Sequence, residues 1–144
     1  MSQYLQEMTV RLAEGIGRLP EQTRELNKTF LLNAQQADGG FGGKQGASDL
    51  YYTAFALRAL SILGELYGEV AERAAGFLRS RLNQHETIVD FFSLIYAAGL
   101  LKVSANVDIY EDAGDNWQDE VAKFFESLRR EDGGFAKAIE GGAG

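Results

Sequence analysis

The chain has 144 residues, 45% hydrophobic and 24% charged, enough for one globular domain with its own core. Its 14 basic and 21 acidic residues give a net charge of −7, which excludes nucleic-acid backbone binding, because that role needs a basic surface. There is no cysteine, which excludes disulfides and thiolate metal sites, and a single histidine, His85, is too few for a zinc site made from this chain alone.

Apolar residues recur at spacings of three and four from end to end, which predicts helices throughout. The first, 3–18, carries Tyr4, Leu5, Met8, Leu12 and Ile16. Pro20 then stands where a helix can start without losing a needed N–H, and 21–36 follows with Leu26, Phe30, Leu31 and Ala34. Beyond a glycine loop, 50–67 is apolar almost all round, with Ser48 or Asp49 as its start signal. Segment 69–84 is amphipathic, setting Val70, Ala74, Phe77, Leu78 and Leu82 against Glu69, Glu72, Arg73, Arg79 and Arg81. Segment 88–102 is again nearly all apolar, and Thr87 with Asp90 three residues later forms a capping-box pattern. The last, 116–130, is amphipathic, with Asp115 or Asn116 at its start.

No stretch alternates in strand fashion, so the fold class is all-α. Apolar helices alternating with amphipathic ones predict two layers, an inner row surrounded by protein and an outer row with one face in water.

The helices repeat. Phe30, Phe77 and Phe124 stand on the three amphipathic segments at a constant step of 47 residues. Asp38-Gly39-Gly40-Phe41 recurs as Asp132-Gly133-Gly134-Phe135, two steps on, while Asn83-Gln84-His85-Glu86 replaces it in the middle repeat. The inner helices match as Tyr51-Tyr52-Thr53 and Phe91-Phe92-Ser93. Ten of the 17 glycines fall in the two loops, so glycine punctuates the helix pairs. In such a loop Asp38 can accept backbone N–H bonds, Gly39 and Gly40 permit positive φ and close approach, and Phe41 can plug the space beneath the turn. An anion-cradling role for the glycines is the weaker alternative, since no Walker lysine follows.

The stretch Gln35-Gln36-Ala37-Asp38-Gly39-Gly40-Phe41, followed by Asp49-Leu50-Tyr51-Tyr52-Thr53, resembles the helical repeat of protein prenyltransferase β-subunits and terpenoid cyclases. The resemblance runs from about Glu21 to the end and implies an α/α toroid, with outer helices around inner helices that enclose an apolar cavity. Repeats at about 21–67, 68–102 and 115–144 then make a single domain of three outer and three inner helices, roughly half a ring. A half-ring leaves apolar flanks open, so either continuation of the chain or self-association is expected.

For the zinc-dependent members, the resemblance implies metal ligands at inner-helix starts. Asp90 stands on their Asp position, but Phe92 stands where a Cys would be and Tyr52 where a His would be. Zinc-dependent prenyl transfer is therefore not supported, no metal or other cofactor is implied, and no catalytic residue is assigned. The acid run of the cyclases is also unmatched: Asp108-Ile109-Tyr110-Glu111-Asp112 has another spacing, and with Asp115, Asp119 and Glu120 it reads as a solvated lead into a helix or, alternatively, a divalent-cation site.

Candidate cavity residues are Tyr52, Phe55, Phe92 and Tyr96, with Asp90 beside them. Aromatic faces can wrap an isoprenoid chain and stabilise a developing carbocation. Plain core packing is the competing role. Tyr51 and Tyr52 diverge by ~100° on a helix, and Tyr52 is the expected cavity residue of the two. His85 reads as a loop residue, and Trp117 as an anchor of its helix. The functional expectation is a prenyltransferase/cyclase-like toroid domain for an isoprenoid or other apolar small molecule, catalytically incomplete as given. The alternative is a non-catalytic helical-repeat scaffold or protein-interaction module. The uncharged run Phe91 to Leu101 is shorter than the roughly 18–20 residues of a bilayer span, and the N-terminus lacks a secretory pattern, so a cytoplasmic protein without a membrane span is expected.

Overall fold

The computed structural model describes residues 3–84, 87–111, 113–114 and 116–137, with Leu5 and Gln6 described by their backbone alone. His85, Asp112, Asp115 and the glycines at 141, 142 and 144 lie outside the described residues. Among the described residues six helices follow one another: α1 (Gln3–Ile16), α2 (Glu21–Ala34), α3 (Leu50–Leu63), α4 (Gly68–Ser80), α5 (Ile88–Ala105) and α6 (Trp117–Leu128). The described residues form no named strand, only the isolated bridges Phe41–Asp49 and Arg129–Phe135.

Helix ends follow local chemistry. The Asp49 carboxylate accepts the Tyr52 N–H and starts α3, and α3 stops at Leu63, short of the expected 67, because Gly64 takes φ +74° and Glu65 N–H returns to the Leu60 carbonyl. α5 opens on a complete capping box, in which Thr87 Oγ1 accepts the Asp90 N–H and Asp90 Oδ2 accepts the Thr87 N–H. It runs past the expected 102 to Ala105, where Asn106 takes the left-handed conformation.

α3 lies at the centre. Its contact with α5 is the most extensive between any two helices, α1 and α2 also pack on it, and α4 packs on α5. The principal core joins Leu57 and Leu60 of α3, Phe77 and Leu78 of α4, and Leu94, Ala97 and Leu101 of α5, with Phe41 from the glycine loop. A smaller cluster, Phe91, Phe124 and Leu128, ties α6 to the start of α5. The inner row is thus α1, α3, α5 and the outer row α2, α4, α6.

Two expectations need correction. The apolar helices α3 and α5 are not surrounded by protein: Tyr51, Tyr52, Phe55, Val89, Phe92 and Ile95 are exposed, because each helix buries one side and leaves its aromatic side open. The three repeat phenylalanines do not share one environment either. Phe77 and Phe124 are 2% and 8% exposed, whereas Phe30 is 71% exposed. Trp117 stacks on Tyr110 at 4.5 Å, so it holds α6 to the segment before it. α5, with 18 residues and a mean hydropathy of 1.6, is by length and composition apolar enough to cross a membrane, beyond what the uncharged run alone indicated. In the fold it is an inner helix packed on α3 and α4.

Candidate functional site

The two Asp-Gly-Gly-Phe turns are built alike. Gly39 and Gly133 take φ +89° and +85°, their N–H groups reach Gln36 and Arg130 carbonyls at 2.9 and 3.0 Å, and Gly40 and Gly134 donate to the carboxylates of Asp38 and Asp132 at 3.0 and 2.9 Å. In the first turn, Phe41 is buried and its N–H donates to Thr53 Oγ1 at 2.9 Å, so the threonine of the motif locks the turn to α3. Ser48 Oγ donates to Asp38 at 2.7 Å. Burial pushes the Asp38 carboxyl up, but the Ser48 and Gly40 hydrogen bonds, with the Arg81 charge nearby, outweigh it and hold it below its ordinary range. The second turn lacks the plug: Phe135 is 57% exposed.

This first turn fixes where α3 starts, and hence where its aromatic side faces. Tyr51, Phe55 and Arg58, at i, i+4 and i+7, share a face with Ala54. On α5, Val89, Phe92, Ser93 and Tyr96 share another, and the two faces bound an open, mainly apolar groove of about 320 Å³. Tyr51 and Phe55 meet edge-to-face at 4.8 Å. Arg58 brings the groove's one charge, and its Nε is buried without a hydrogen-bond partner among the described residues.

Of the residues read from sequence, Phe55, Phe92 and Tyr96 line this groove and Tyr52 does not. Of the two tyrosines, Tyr51 lines this groove, while the Tyr52 ring lies over Gly43, where an added Cβ would be 2.9 Å from it. Asp90 is absent from the lining, and its carboxylate is engaged by Thr87, whose Oγ1 donates at 2.8 Å. Sequence reasoning missed Arg58, although a lone charge in the otherwise apolar Leu50–Leu63 was the available signal.

Among the described residues no three His, Cys, Asp or Glu side chains gather as a metal site. In the acidic segment, Asp108 accepts the Tyr110 N–H at 2.9 Å and pairs with Lys102 at 3.5 Å. The Tyr110 N–H holds the Asp108 carboxyl low against partial burial, with Lys102 assisting. Glu120 pairs with Lys123 at 2.9 Å. A larger hollow of about 560 Å³ lies on the outer face of α2, but all of its lining, including Leu26 and Phe30, belongs to that one helix.

The model of the prenyltransferase alpha-alpha toroid domain family matches residues 9–86, from α1 through α4 and the first glycine turn. The chain belongs to that family. The all-α fold is accordingly an α/α toroid fold. No curated protein matches the chain, and no solved structure matches it.

Proposed function

We propose that this toroid domain binds an isoprenoid-type ligand, an apolar chain with an anionic end, in the groove between the starts of α3 and α5. Tyr51, Phe55, Phe92 and Tyr96 receive the chain, where each Å² of apolar surface removed from water contributes about 25 cal/mol. Arg58 meets the anionic end. It carries the reading, because it is the one charged side chain on an otherwise apolar, aromatic lining, and a guanidinium can pair bidentately with a phosphate. A volume of about 320 Å³ falls at the small end of ligand sites, which run from about 300 to 1,000 Å³.

On this reading the chain is a binding domain, catalytically incomplete as given, since Phe92 and Tyr52 occupy the positions where the resemblance implies Cys and His. Titration with farnesyl diphosphate, followed by calorimetry, tests it. Saturable binding is expected, weakened about tenfold or more by Arg58→Gln, while farnesol is much less affected by that change. Equal binding of inorganic diphosphate, or no binding at all, contradicts it. A second reading, a non-catalytic helical-repeat scaffold, is supported by the exposed Leu26 and Phe30 on α2, which suit a macromolecular partner.

A further inference from the structure

Inside the chain, one repeat docks on the next through a defined contact. The turn of the first repeat presses on α4: a Cβ on Gly39 would fall 2.0 Å from the Arg73 carbonyl oxygen, and one on Gly40 would fall 2.9 Å from the Phe77 ring. Gln35 Nε2 donates to the Val70 carbonyl at 3.0 Å, and Arg73 Nη2 donates to the Gln36 carbonyl at 2.7 Å. Turn and seat together bury Phe41 and Phe77.

The 47-residue step gives the same turn and the same seat a second time, apart from each other. The other turn is 132–135, of like backbone form; among the described residues a Cβ on Gly133 meets nothing within 4 Å, and one on Gly134 meets only its own Asp132. The other seat is α2, where Phe30 takes the place of Phe77 and Leu26 that of Arg73; both are exposed and line the hollow of about 560 Å³. The helix rows show the same complementarity: inner helix α1 precedes α2 with Tyr4, Val10 and Leu12 exposed, and outer helix α6 precedes the exposed turn.

We infer that two copies of this chain associate head to tail, the 132–135 turn of one seated on the Leu26/Phe30 face of the other, with α6 of the first against α1 and α2 of the second. The contact is heterologous, and a pair closes when both of its ends engage. This inference is independent of the ligand reading.

Sedimentation of the full chain tests it with two variants. Phe30→Glu spoils the seat at a side chain 71% exposed, and Gly134→Leu spoils the turn, where among the described residues a Cβ meets only Asp132. Far-ultraviolet circular dichroism is expected to be the same for both as for the parent. The parent is expected to be dimeric, each variant alone to associate about tenfold more weakly or worse, and the mixture to regain a heterodimer through its one intact contact. A monomeric parent, dimers indifferent to Phe30→Glu, or a mixture no better than the separate variants overturns it.

Discussion

Gly40 lies so close to Phe77 that a Cβ on it would stand 2.9 Å from the aromatic ring, while the equivalent Gly134 has only its own Asp132 side chain nearby. The same motif residue therefore differs in its surroundings: it joins repeats in one place, and in the other no neighbouring helix among the described residues packs on it. Gly40→Ala is expected to cost about 1–3 kcal/mol as an overpacked contact, and Gly134→Ala much less. Urea unfolding of the two variants at low protein concentration gives the comparison.

Thr53 is fully buried and binds the Phe41 backbone, accepting its N–H at 2.9 Å. Thr53→Val keeps the shape and strands that N–H. A loss of about 1–3 kcal/mol is expected in denaturant unfolding, the cost of an unsatisfied buried donor.

Thr87 and Asp90 satisfy each other's backbone at the start of α5. Thr87→Ala is expected to destabilise by about 1 kcal/mol. Because the two residues act as one unit, Asp90→Ala in the Thr87→Ala background should cost less than Asp90→Ala alone. A double-mutant cycle in thermal unfolding checks this; strict additivity would remove the capping box as the role of Asp90.

The Asp38 carboxyl is held below its ordinary value of 3.8 by Ser48 and Gly40 against the opposing effect of burial. A depressed folded pKa means that the stabilisation is present above the unfolded value and is lost as pH falls through the folded one. The stability gap between the parent and Asp38→Asn is therefore expected to be largest above about pH 4 and to shrink on further acidification. Chemical unfolding at a series of pH values measures it.

Much of the fold was legible because its signals are local and repeated. The 47-residue step, the glycine turns and the helix periodicity placed all six helices, and the Thr87/Asp90 pattern placed a cap that the structure contains. What escaped depended on neighbours. Phe30 and Phe77 are the same letter at the same repeat position, yet only Phe77 has a turn packed over it. Tyr51 and Tyr52 could not be ordered from their own spacing, because only the fold shows that the Tyr52 ring lies over Gly43 and Tyr51 beside α5. Arg58 went unremarked within an apolar helix, since only the α5 residues across from it make it the one charge of a groove lining.

The central claim is that the α3–α5 groove holds an apolar chain with its anionic end at Arg58. Photo-crosslinking with a farnesyl diphosphate analogue carrying a photoreactive group in the isoprenoid tail, mapped by peptide mass spectrometry, tests it most directly. Labelling at Tyr51, Phe55, Phe92 or Tyr96, competed away by farnesyl diphosphate and reduced by Arg58→Gln, is the expected result. Labelling confined to the Leu26/Phe30 face, or labelling that unlabelled ligand does not compete, would contradict it.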